Sequence, residues 1–157
     1  MARDKVRISP IPDCDHLMRL VPHKQQIRDP DTDVFIGIVN TAFSLRTSDK
    51  GGLSTQWVEY FGEKSLPTYS SAAERYRDNL PSKRIGSLAY FAIGNVGMVK
   101  LAASEAKKRI RVVHEPDGTN EGHAVIRRFT DDDRALLDVL AIEVFAEHVW
   151  VGDLDLN

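Results

Sequence analysis

The sequence predicts an α+β domain: a curved, mostly antiparallel sheet with two or three helices packed on it, the C-terminal helix the longest. Three observations predict it. Short runs of Val, Ile and Phe recur along the chain, bounded by Gly, Pro, Asn and Asp, and read as strands. These runs do not alternate regularly with long helical patterns, which argues against a doubly wound parallel sheet. The clearest helical periodicity comes last, after residue 130. A length of 157 residues fits one domain. It is expected to occupy residues 1–151, with 152–157 as a short acidic tail that frays.

Residues 5–11 alternate polar and apolar and read as an edge strand ending at Pro10. Residues 13–21, closed by Pro22, read as one or two turns of helix. Residues 25–33 carry Asp29-Pro30-Asp31 and read as a turn. Residues 34–45 are nearly continuous in apolar character and predict a central strand, bent near Asn40 and buried on both faces. A turn over 47–52 follows, and then Ser54 or Thr55 is placed to cap a short helix through Phe61, stopped by Gly62. Ser70 or Ser71 is expected to cap a helix over 72–79. Residues 85–103 contain Gly86, Gly94 and Gly97, and predict two strands about a turn at 93–97. Strands at 109–114 and 123–129 flank a Pro-Asp-Gly loop and form a hairpin. Thr130 then caps a helix running to about Val149, with Leu137, Leu140, Ala141, Val144 and His148 on one face.

Composition excludes several classes. The formal net charge is −2, against a general nucleic-acid binder, which is distinctly basic. The lone cysteine, Cys14, forbids an internal disulfide and points to a reducing compartment. No apolar run approaches membrane-spanning length, and the charged N-terminus is no secretory signal. A cytoplasmic location is expected, with no membrane association.

For metals, the five histidines include no pair at helical ligand spacing. Cys14-Asp15-His16 supplies three ligand types but no partner cluster, so no metal is expected. No Gly-x-Ser-x-Gly elbow or phosphate loop is present, and no cofactor is expected. Residues 42–59 hold the densest chemistry: Arg46 at a strand end, a Gly-Gly loop, Ser54-Thr55, Trp57 and Glu59, with Glu74 beyond. An arginine grips phosphate bidentately, a hydroxyl and a carboxylate orient a ribose, and an indole stacks on a base. That order resembles, with different spacing, the Arg–Ser–Glu order of small ADP-ribosyltransferase-like toxins. His114 and His123 bracket a polar loop, and His123 reads either as a general base or, with Asn120, as a loop anchor. Lys107, Lys108, Arg109 and Arg111 with Arg127 and Arg128 read as a solvated basic face without the stacking aromatics of a nucleic-acid site.

Asp15-His16-Leu17-Met18-Arg19-Leu20-Val21-Pro22, Ala42-Phe43 with Leu53-Ser54, and Asn120-x-x-His123-Ala124-x-Ile126 together resemble a loose group of small uncharacterised bacterial proteins. Some of these are encoded beside phage-defence or other conflict-system genes. The resemblance implies an accessory or effector piece of a multi-component bacterial system.

Two functions remain open. One is a non-catalytic interaction module with a protein partner, its anchors among Trp57, Tyr60, Tyr69 and Trp150. The other is a small nucleotide- or nucleic-acid-directed enzyme in which Arg46, Ser54, Glu59 and His123 meet in one cleft.

Overall fold

The structure, a computed structural model, describes residues 8–47, 49 and 51–156. The start of the expected edge strand, residues 5–7, lies outside them. What remains of it is β1 (Ser9–Pro10).

Among the described residues, seven strands form one antiparallel sheet. Beside β1 these are β2 (His16–Val21), β5 (Gly52–Trp57), β6 (Tyr90–Asn95), β7 (Arg111–His114), β8 (His123–Arg127) and β9 (Glu147–Trp150). Their order across the sheet is β1-β7-β8-β5-β2-β6-β9. A separate two-stranded ribbon joins β3 (Gln26–Arg28) to β4 (Phe35–Ile38). The α+β architecture thus agrees with the sequence pattern.

Alternation along the strands splits the core in two. Leu17, Leu53, Ala92, Ala124 and Ile126 face α2 (Val96–Glu105) and α3 (Arg134–Val139). Met18, Phe91 and Ile93 face α1 (Leu66–Asp78), which contributes Tyr69, Ala72 and Ala73. The sheet is therefore sandwiched between helices, and each face buries its own apolar set.

Several elements differ from the sequence expectation. Residues 16–21 are a strand, not a helix, because β2 pairs with β6 along its length and is apolar on both faces. Residues 34–45 give only the short β4 and a 3-10 turn, Asn40–Phe43. Val34 and Ile36 are 56% and 63% exposed, so this is no central strand. Residues 52–57 form β5, leaving only Val58–Tyr60 as a 3-10 turn. The cap of α1 is Ser65, whose side chain accepts from the Thr68 amide, and Pro67 sits in the first turn.

The expected hairpin over 85–103 is a strand followed by a helix. Asn95 caps α2 by accepting from the Met98 amide at 3.0 Å. Gly94 marks no turn there: a Cβ on it would lie 2.8 Å from the Phe145 ring, so the glycine admits that ring. The hairpin of β7 and β8 forms as expected.

The C-terminal helix is not the longest; that is α1, at 13 residues. Asp133, not Thr130, caps α3, and a π turn, Leu140–Val144, follows. The turn swings Phe145 into the core at 4.8 Å from Phe43, and the chain leaves as β9. The tail packs down instead of fraying: Leu154 is buried and the Asp155 amide donates to Ser70 Oγ. Among the described residues no helix is long and apolar enough to cross a membrane.

Candidate functional site

The site begins with a break in the sheet. β2 meets β5 only at Leu17–Trp57 and Met18–Gln56, after which the two strands separate. Carbonyls left unpaired by such a gap need donors. Arg19 supplies one for Ser54 of β5 and also ties in the 3-10 turn beside it. Its Nε donates to the Ala42 carbonyl at 2.7 Å, Nη1 to the Ser54 carbonyl at 2.7 Å, and Nη2 to the Ser44 carbonyl at 3.1 Å. Nη2 also faces Asp49 Oδ2 at 3.5 Å, with both side chains 2% exposed. Burial first, and then the neighbouring Arg46, lower the Arg19 pKa to about 10, against the raising effect of Asp49. Arg19 stays charged at neutral pH.

Asp49 ties Arg46 to β5, accepting from the Arg46 amide at 2.6 Å and the Ser54 amide at 3.1 Å. Gly52 lets the start of β5 approach β8: its φ is +150°, and a Cβ there would sit 2.2 Å from the Ile126 carbonyl oxygen. Arg46 Nη2 donates to the Leu20 carbonyl and to Gln25 Oε1, each at 2.9 Å.

Between these groups and α1 lies a cavity of about 160 Å³. Met18, Leu20 and Phe91 contribute apolar wall, and Arg19, Arg46, Asp49, Ser54 and His123 contribute polar wall. Tyr76 of α1 also lines it. Burial raises its phenol pKa, while Arg46 and Arg19 pull it down.

The hairpin delivers His123. Its Nδ1 lies 2.7 Å from the Glu115 carbonyl oxygen, and its Nε2 lies 3.1 Å from Ser54 Oγ. A carbonyl only accepts, so Nδ1 carries the proton; in the neutral ring Nε2 then presents its lone pair to the serine hydroxyl. The loop below is held by Asn120. It exchanges amide hydrogen bonds with buried Gln56 at 2.9 and 2.6 Å, and Gln56 also donates to the Ala72 carbonyl. His123 thus bridges the Ser54 hydroxyl and the Glu115 carbonyl.

Of the four residues expected in one cleft, Arg46, Ser54 and His123 line this cavity and Glu59 does not. Glu59 accepts from the His16 amide and faces His16 Nδ1, both at 2.7 Å. Trp57 Nε1 donates to Asp15, and Cys14 is exposed. Among the described residues no group of three or more His, Cys, Asp and Glu is placed to hold a metal ion. Arg127 pairs with Glu115 and Lys108 with Asp132, so the basic face is partly neutralised. Of the expected interface aromatics, Tyr69 is buried, while Tyr60 and Trp150 are about 40% exposed.

Arg19, Asp49 and Tyr76 escape the sequence reading. The signal for Arg19 was available: an arginine between Leu17-Met18 and Leu20-Val21 leaves no polar face for it, which implies a buried, saturated guanidinium.

The fold and the site thus define an α+β protein with a charged cavity, lined by two arginines and two aspartates, and a serine–histidine contact on its wall. No family model, curated protein or solved structure matches the chain.

Proposed function

We propose that the chain is a small serine-dependent hydrolase, with the cavity under α1 as its active site. The observation that carries this reading is the chain of contacts from Ser54 Oγ through His123 to the Glu115 carbonyl, with Ser54 and His123 on the cavity wall. In the proposed reaction His123 Nε2 takes the Ser54 proton as Oγ bonds to the carbonyl carbon of an ester. The tetrahedral oxyanion forms in a cavity lined by buried Arg19 and half-buried Arg46. Collapse breaks the ester C–O bond, and His123 returns the proton to the departing alkoxide. Water then attacks the acyl-serine with His123 again as base, releasing the acid and regenerating Ser54.

The cavity also limits the substrate. At about 160 Å³ it is smaller than the roughly 300–1,000 Å³ of sites for drug-sized ligands. A nucleotide-sized substrate would enter only by one compact end. The test is turnover of 4-nitrophenyl butyrate. The wild-type chain hydrolyses it, and Ser54→Ala does not. Equal turnover by that variant would contradict the reading.

A second reading, an accessory module within a multi-component system, is favoured by a different observation. Leu101 on α2 and Ile142 in the adjoining π turn are 59% and 71% exposed. Exposed aliphatic side chains of this kind suit a protein contact. A stoichiometric protein partner captured from the native host, and lost when Leu101 and Ile142 both become Glu, would support it.

A further inference from the structure

We infer that Arg46 selects substrates whose acyl group carries a carboxylate, so that the site takes compact half-esters of dicarboxylic acids. The inference rests on the hydrolase reading above and names its substrate class.

The charges in the cavity carry it. Arg19 and Asp49 are both deeply buried and face each other, so they largely cancel. Arg46 is different. Among the described residues no carboxylate pairs with its guanidinium; Nη2 meets only the neutral Leu20 carbonyl and Gln25 amide. Asp49 accepts instead from the Arg46 backbone, which fixes where the side chain starts. The charge is felt nearby: Arg46 lowers the pKa of Arg19 and pulls on Tyr76. A half-buried cation on the wall of a cavity, which no described carboxylate pairs, favours an anionic ligand.

The same wall argues for one negative charge. Asp117 also lines the cavity, from the exposed β7–β8 loop, where Asn79 donates to it. A carboxylate there disfavours polyanions such as a nucleoside triphosphate. The cavity volume, about 160 Å³, lies below the roughly 300–1,000 Å³ of sites for drug-sized ligands. That space admits a short acyl chain ending in a single carboxylate.

The test compares mono-4-nitrophenyl succinate with 4-nitrophenyl butyrate, which replaces the carboxylate by a methyl group. The wild-type chain favours the succinyl ester in kcat/KM by about tenfold or more, the scale of one charge-assisted hydrogen bond. In Arg46→Gln the ratio falls to about one or below, and Arg46→Lys, which keeps the charge, retains an intermediate ratio. Thermal melts establish that each variant is folded. A wild-type ratio at or below one, which needs no variant, overturns the inference, as does an unchanged ratio in Arg46→Gln. Turnover of neither ester, together with an unreactive Ser54, overturns the hydrolase reading and this inference with it.

Discussion

Ser54 Oγ lies 3.1 Å from His123 Nε2, across the ladder that joins β5 to β8. The register sets His123 opposite Gln56, two residues from Ser54, so the contact is a diagonal pair on one face of the sheet. Rigid strands hold it, and the Glu115 carbonyl fixes the ring. His123→Ala should therefore lower ester turnover by about 10²–10⁴-fold, the range of general-base catalysis. Far-ultraviolet circular dichroism should be unchanged. Wild-type turnover in the variant would remove His123 from the mechanism.

Arg19 is the structural counterpart of that pair. Arg19→Met should destabilise the fold by roughly 3–5 kcal/mol, because Asp49 would stay buried without its cation. The carbonyls of Ala42, Ser44 and Ser54 would also lose their donor. Urea unfolding measures the loss. A change under about 1 kcal/mol would mean that the gap between β2 and β5 closes without the guanidinium.

Gly52→Ala should be as damaging as a core truncation, costing about 3 kcal/mol or more. The added Cβ meets the Ile126 carbonyl at 2.2 Å, in a backbone conformation with φ at +150°. The same variant should shift Asp49 and reduce ester turnover. Neutral behaviour in thermal melts would contradict the close approach of the start of β5 to β8.

Acid sensitivity should have a distinct step from His148. Burial pushes this histidine below its ordinary value, although the Phe145 backbone and Glu147 act in the opposite sense. Its Nε2 is buried without a partner among the described residues, and Phe35 meets the ring edge-on at 5.2 Å. The folded state therefore prefers the neutral ring. The resulting stability is present above the unfolded value of about 6.5 and is lost as pH falls through the lower folded value. The Glu147 carboxyl gives a separate, more acidic step. Burial raises it, but Lys64 and Tyr69 outweigh that and leave it below the ordinary carboxylate value. Melting temperatures from pH 7 to 5 should fall in the wild type and fall less in His148→Phe. Identical slopes would show that His148 is not the group responsible.

Local signals were legible and non-local ones were not. The β7–β8 hairpin announces itself because its strands are adjacent in sequence and its loop carries Pro116-Asp117-Gly118. β2 is hidden because a central strand, apolar on both faces, has no two-residue period. β5 is hidden for the opposite reason: Ser54 and Thr55 look like helix caps, and only the tertiary fold supplies the cavity and the hydrogen-bond partners that suit polar groups inside a buried strand. Gly94 looks like a turn until Phe145 arrives from 51 residues away. In the site, Arg46, Ser54 and His123 could be singled out by residue type and neighbouring loops. The exclusion of Glu59 depends on its pairing with His16, which only the tertiary fold creates.

The most direct test of the central claim is covalent capture of Ser54. The folded chain is incubated with a fluorophosphonate, and the adduct is mapped by mass spectrometry of its peptides. One adduct per chain, on Ser54, absent in Ser54→Ala and strongly slowed in His123→Ala, is the expected result. No adduct on Ser54, or labelling that is equally fast in His123→Ala, would contradict a nucleophilic serine activated by His123.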